Sequence, residues 1–451
     1  MASTYLSMTG TGDAKKWTFS GWFKKALNGS EQRLITSSDN STYDDNIRFN
    51  SDDTITIRYR NAVVLKTNRK FRDNNAYYHI VVKVDTDQST ANDRVVLYIN
   101  GVDERTVGGY GTDSMPGQGL TGYLNYNVTY IGFTNPSANS NHFNGIMSHV
   151  HFTDGYAYDA SAFGSTDSTT GEWKINTSPS VTYGANGFFI LKDGNSVTDQ
   201  SGEGNDFTVG GGTLTKTEDN PSNVFATLNP LHIQGTTSRS ITYGNTRFYT
   251  TTTAWGSALS TLGFSSGKFY VEAKILALNS STGYGAIAIQ DINAFGSSGN
   301  TNANLAENSA GAGVTPDYRS GQSAIRSGGS TVSSNVGDFS NNDIIGMAID
   351  MDNKALYMHK NGTYYQIGGV TGVPTSGASK TGAITIPASV ETCAIGLGSY
   401  TSNADSCYNF GNGYFATTAV SSAGTNASGN GIFEYDVPTG YTALSSKGLN
   451  L

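Results

Sequence analysis

The stretch RVVLYINGVDE, residues 94–104, reads as strand, Asn-Gly turn, strand. KALYMHKNGTYY, residues 354–365, repeats that order 259 residues later, counted from Tyr98 to Tyr357. Asn-Gly suits the two positive φ angles of a type I′ hairpin. Each copy follows a segment ending in Asp-x-Asp: Asp85-Thr86-Asp87 in the first, Asp350-Met351-Asp352 in the second. Tyr98 precedes its Asn by two residues and Tyr357 by four. The difference is even, so in a period-two strand every side chain keeps its face, and both copies can bury the same face against a second sheet. The echo therefore predicts an all-β chain of two tandem antiparallel β-sandwiches.

Outward from these hairpins the same period recurs. KKWTFSGWFKKA, residues 15–26, sets Trp17, Phe19, Gly21 and Phe23 on one face against Lys16, Thr18, Ser20, Trp22 and Lys24 on the other. RLITSS, NIRFNS, TITIRYR, AYYHIVVKVDTD, VTYIGF and GIMSHVHFTDGYAY follow as strands bounded by Ser, Asp and Asn. No helical period extends over three turns in the first 230 residues. A second series begins after EDNPSNVFATLNPL, residues 218–231, where Pro221 and Pro230 punctuate a chain with only 9 Pro. The domains are expected at 1–226 and 227–451, which suits a length of 451 residues.

Composition narrows the function. A net charge of −8 without a basic run excludes an electrostatic grip on nucleic acid. No apolar segment is long enough for a spanning helix, so no membrane insertion is expected, and MASTYLSMTGTG lacks the basic start and apolar centre of a signal peptide. Cys393 and Cys407 are the only cysteines, too few for a disulfide framework; two buried free thiols are expected rather than a pair.

WTFSGWFKK, AYYHIVVKVDTDQSTANDRVVLYINGV, YIGF, FNGIMSHVHFTDG and VTDQSGEGNDFTV together resemble the laminin G-like branch of the concanavalin A-like lectin/glucanase fold. SGKFYVEAKI, YRSGQ, GDFSNNDIIGMAIDMDNKALYMHKNG, AIGLGSY and YNFG resemble a SPRY domain, also a two-sheet jelly roll, from about residue 232 to 451. The pairing, the joining phrase DNPSNVFATLNPL and the EWK motif at residues 172–174 are similar to virion-associated proteins of tailed bacteriophages, often described as tail fibres. The resemblance implies a non-enzymatic virion protein assembled in the host cytoplasm, a tail fibre or receptor-binding adhesin that recognises host surface glycans through loops at the sandwich edge. A capsid decoration or tail-scaffold protein that binds other virion proteins is the first alternative, and a polysaccharide depolymerase the second.

For catalysis, glycosidases of this fold draw their carboxyl pair from one strand with the pattern Glu-x-Asp-x-x-Glu. That pattern is absent, and no Glu has another four or five residues away. There is no Gly-x-Ser-x-Gly elbow and no His-Glu-x-x-His. His149 and His151 are expected on one face of MSHVHF, but two imidazoles do not complete a metal shell. Calcium is the one cofactor the laminin G-like resemblance implies, at Asp85 and Asp87, with turn capping as the competing reading. Asp44 and Asp45 form a second acidic pair.

Sugar binding needs an aromatic ring to stack on a pyranose and amides or carboxylates to bond its hydroxyls. GGYGTDSMPGQGLTGYLNYN offers Tyr110, Asp113, Tyr123, Asn125 and Tyr126, and STYDDN offers Tyr43. Packing of these tyrosines onto their own sandwich, or onto a neighbouring subunit, is the alternative. In the SPRY-like half, Asp291 and Phe295 lie where such domains tend to bind partners. Weak sites displayed in many copies imply a symmetric homo-oligomer, with a trimer favoured.

Overall fold

The computed structural model describes residues 4–38, 42–125, 128–192, 196–278, 283–295 and 304–451. It divides into two compact units, Met1–Lys216 and Thr217–Leu451. The expected boundary at 226/227 lies inside the second unit, because Phe225 and Ala226 are buried in cores of that unit and the Ala226 amide donates to the Leu444 carbonyl at 2.9 Å.

The first unit is a two-layer antiparallel sandwich, as the alternation requires. Its six-stranded sheet runs Phe188–Ile190, Gly145–Asp154, Lys16–Lys25, Tyr78–Asp85, Val95–Ile99, Val102–Asp103. Its eight-stranded sheet centres on Ile55–Tyr59, Asp44–Phe49, Gln32–Ser38 and Val128–Ile131, with Tyr5–Thr9 beyond the last. Trp17, Phe19 and Phe23 enter the core with Ile80, Val82, Val84 and Leu97, while Ile35, Ile47 and Ile57 meet them from the facing sheet. Burying each such side chain contributes roughly 1.5–3 kcal/mol.

The opposite face of the six-stranded sheet is closed as well. Residues 155–183 fold over it and place Phe163, Tyr158 and Trp173 against Val81 and Tyr98. The EWK motif is one arm of the small hairpin Gly164–Thr166 with Trp173–Ile175. Its Trp173 indole donates to His79 Nδ1 at 2.9 Å, which leaves the Nε2 proton to Ser20 Oγ at 2.9 Å. Burial pulls His79 down to about 3, so the ring is neutral.

The second unit repeats the architecture with a seven-stranded sheet and a larger sheet built on Lys268–Leu278, Ile344–Asp350 and Ala355–Lys360. The echo is structural. Asn100 and Gly101 have φ 50° and 80°, Asn361 and Gly362 have 51° and 83°, so both turns are left-handed at both positions. Asn100 Oδ1 accepts the His79 amide at 2.8 Å, and Asn361 Oδ1 accepts the Ile344 amide at 2.8 Å. Leu97 and Leu356 each face the inter-sheet core. Tyr98 and Tyr357 pack on the opposite faces of their sheets. Cys393 and Cys407 are buried and unpaired.

Candidate functional site

Asp45, on the strand Asp44–Phe49, ties one of the expected sugar-binding residues, Tyr123, to the turn at Asn61. Asp45 is fully buried. Its Oδ1 accepts the Asn61 amide at 2.9 Å and its Oδ2 the Tyr123 amide at 2.6 Å. Burial pushes this carboxyl above its usual range against four backbone amides that oppose the shift. Asn61 extends the tie: its Oδ1 accepts the Asp44 amide at 2.7 Å and its Nδ2 donates to the Thr42 carbonyl at 2.9 Å. Tyr43, the Arg60-Asn61 turn and Tyr123 are thereby fixed as one surface.

The Tyr43 and Tyr123 rings lie 5.5 Å apart at 40°, and the Arg60 guanidinium sits 5.5 Å over Tyr123. Tyr43 also lines a cleft of about 290 Å³ with Ser38, Val128, Tyr130, Asn135, Pro136 and Ser137. Tyr130 is held edge-on by Phe133 at 5.8 Å and Tyr5 at 6.1 Å. Asn135 donates to Ser38 Oγ at 3.0 Å and accepts the Ala138 amide at 2.8 Å. The result is an aromatic row, half-buried at Tyr43 and Tyr123 and buried at Tyr130, beside hydroxyl and amide groups at strand ends of the eight-stranded sheet.

The other expected residues fall elsewhere. Tyr110 packs on the core with Arg105 over its ring at 4.9 Å, and Asp113 pairs with Arg105 in the open. Asn125 is buried, with φ 63°, and donates to Asp154 Oδ1 at 3.2 Å, so it braces the loop and does not face a ligand. Tyr126 lies outside the described residues. Asp291 is buried and its carboxylate accepts four amides, those of Asn293, Ala294, Glu391 and Thr392, at 2.8–3.1 Å. Phe295 is buried, edge-on to His232 at 4.6 Å. Neither side chain is presented to a partner.

Asp85 is also committed. Lys16, its register partner on the neighbouring strand, reaches Oδ2 at 3.3 Å, and Gln88 donates to the same oxygen at 2.9 Å. Asp87 is exposed. Among the described residues no three His, Cys, Asp or Glu side chains are grouped to hold a metal ion. Asp44 sits between Arg33 at 3.2 Å and Arg58 at 2.6 Å. His149 departs from the expected alternation: the register shifts between Ser148 and His151, and His149 has φ 48°. His151 is buried, stacked 3.9 Å on Phe189 and bonded to Tyr183 Oη at 2.9 Å.

Two clusters had no local signal in the sequence. Glu272, Tyr270 and His359 form a buried hydrogen-bonded chain. Trp255, Tyr284 and Tyr400 gather partly exposed rings, Tyr284 and Tyr400 stacked at 4.4 Å, from positions up to 145 residues apart.

Residues 2–162 match a laminin G-type family model described as the concanavalin A-like lectin/glucanases superfamily. A search of curated protein sequences finds no match. Among solved structures, the SPRY domain of human HERC1 is similar at 13% identity over 40% of this chain and 96% of that one, with a TM-score of 0.30. The TRIM65 PSpry domain is similar at 10% identity over 41% and 90%, with a TM-score of 0.29. The SAP-like pentraxin of Limulus polyphemus is similar at 13% identity over 35% and 72%, with a TM-score of 0.26.

Proposed function

We propose that the protein is a non-enzymatic adhesin of a tailed bacteriophage particle that holds a host-surface glycan in the Tyr43 cleft. The observation that carries this reading is the Tyr43 ring, shared between the cleft and the pair with Tyr123. Every residue of the cleft lies within the segment that matches the lectin/glucanases superfamily. A shallow rim site gives weak binding, of the order of 1 mM or about −4 kcal/mol, so adhesion rests on several copies acting together. That need supports a homo-oligomer, with a trimer favoured, and display on a particle. The virion assignment itself rests on the similarity of the domain pairing and joining phrases to phage proteins.

The test is binding of the full chain to an array of bacterial surface glycans. An aromatic contact is worth about 0.5–1.5 kcal/mol, so Tyr43→Ala and Tyr123→Ala are each expected to weaken retention by up to about tenfold. Retention unchanged in both variants, or no glycan retained by the unaltered protein, overturns the reading. Release of reducing ends from a retained polysaccharide overturns its non-enzymatic part.

A further inference from the structure

Arg60 does not line the cleft itself but stands over Tyr123, the ring paired with the cleft's Tyr43. It occupies the first central position of the turn between Ile55–Tyr59 and Ala62–Thr67, with φ 50°, and Asn61 follows at 63°. Asn is at home in the left-handed region because its short amide bonds locally; Arg has no such compensation, and type I′ turns favour Asn, Asp and Gly. A costly residue held at a turn beside a cleft is where side-chain function is sought.

The guanidinium is oriented. NH1 donates to the Thr121 carbonyl at 3.0 Å and the guanidinium carbon lies 5.5 Å from the centre of the Tyr123 ring. Arg60 is exposed and makes no ion pair among the described residues. Its nearest acids are spent: Asp44 lies between Arg33 and Arg58, and buried Asp45 is closed by backbone amides. The rim beside the aromatic row is therefore locally cationic on a chain of net charge −8.

We infer that the cleft selects saccharides bearing a carboxylate, uronic or sialic in type, with the acid on Arg60 and the adjoining sugar faces on Tyr123 and Tyr43. Arginine's remaining donors form a planar fork that meets a carboxylate through two parallel bonds, which a lysine or an amide cannot reproduce. The ring-to-ring and ring-to-guanidinium steps are both 5.5 Å, so the acid is expected on a sugar next to the stacked one. This inference rests on the glycan-binding reading above.

The experiment uses the full chain and matched pairs of oligosaccharides, each acid against its carboxyl-reduced form. A charge-assisted bond gives an acid preference of about tenfold, and added salt erodes it because Arg60 is exposed. Arg60→Gln and Arg60→Asn are expected to bring each acid and its carboxyl-reduced form to near parity, the readout being their ratio and not the retention of either. Arg60→Asn also relieves the turn, so its melting midpoint stays level or rises and misfolding is not the cause. Equal binding of acid and neutral forms by the unaltered protein, or a preference that survives both substitutions, overturns the inference and leaves the cleft as a neutral-sugar site. If no glycan binds, or neither Tyr43→Ala nor Tyr123→Ala changes retention, the parent reading falls and this one with it.

Discussion

Replacing Glu272 by Gln is expected to tilt the stability of the second unit with pH relative to the unaltered protein, in which His359 opposes Glu272 over the same range. Glu272 lies mid-strand in Lys268–Leu278 and is fully buried. Its oxygens accept the Glu434 and Tyr435 amides, each at 2.8 Å, and the Tyr270 hydroxyl at 3.0 Å. The Gly362 amide donates to His359 Nδ1 at 3.1 Å, so the ring proton sits on Nε2 and points to Tyr270 Oη at 2.7 Å. The chain of donors thus runs from His359 through Tyr270 to Glu272. Burial, outweighing these donors, lifts Glu272 from an ordinary 4.5 to about 7. Burial likewise pulls His359 from 6.5 to about 4. A raised acid stabilises fully below its unfolded value and loses that contribution as pH climbs to 7. A depressed histidine stabilises above 6.5 and loses its contribution as pH falls to 4. Each shift corresponds to about 3.4 kcal/mol in all, or about 1.4 kcal/mol per pH unit, with opposite signs. Between pH 4.5 and 6.5 the two cancel. Glu272→Gln removes one side, so relative to the unaltered protein its stability should rise by about 1.4 kcal/mol per pH unit across that window. His359→Gln should fall by a similar slope. Urea unfolding at a series of pH values, followed by a fluorine label on Trp255, the one Trp beyond residue 216, reads the second unit alone. A Glu272→Gln difference that stays flat with pH, or slopes the other way, refutes the reasoning.

In the first unit, Lys25 is buried with Asp53 at 3.0 Å, the Phe71 carbonyl at 2.9 Å and the Phe49 ring at 4.5 Å. Asp53→Ala strands that ammonium and should cost about 3–5 kcal/mol in urea unfolding, whereas an effect below about 1 kcal/mol would mean that water reaches it. Asp45→Ala removes the acceptor of the Asn61 and Tyr123 amides, at about 1–3 kcal/mol each, and glycan retention should weaken although no atom of the cleft lining is changed; unchanged retention would show that Tyr123 is placed by other contacts.

The fold was legible where burial imposes a period on adjacent residues. Trp17, Phe19 and Phe23 announce one face of Lys16–Lys25 without help from the rest of the chain. The Asn-Gly turns announce their own hairpins because so few residue pairs accept their angles. The second, covered face of that sheet was not legible. Ser20 and His79 read as an ordinary polar face until Trp173, 94 residues after His79, closes over them. The break at His149 was hidden for a related reason: its left-handed φ is held by contacts with Leu191, which no spacing within MSHVHF reveals. The candidate surface was legible by residue type and not by arrangement. Tyr43 and Tyr123 share one surface, whereas Tyr110, Asp113 and Asn125 do not join it, and Asp45, which aligns the pair, bonds to partners 16 and 78 residues away.

The Asp-x-Asp echo shows why an acidic pair is weak grounds for a metal. A strand that ends in a turn must satisfy its last amides and silence any carboxylate placed there. Both copies do this with the same parts: a lysine at the paired position across the sheet, Lys16 for Asp85 and Lys268 for Asp350, and an amide side chain three residues on. Gln88 donates to Asp85 Oδ2 at 2.9 Å, and Asn353 to Asp350 Oδ2 at 2.9 Å. The remaining oxygen of each takes a backbone amide, from Asp87 at 3.3 Å and from Asn353 at 2.9 Å. A divalent cation would have to displace the lysine and break the turn to gain one carboxylate, against the six to eight oxygens that calcium takes. The spacing that marks the repeat is thus accounted for by strand termination, and the acids that stand beside the cleft, Asp44 and Asp45, are spent in the same manner on arginines and amides. Arg60 is left as the charge that a ligand there would meet.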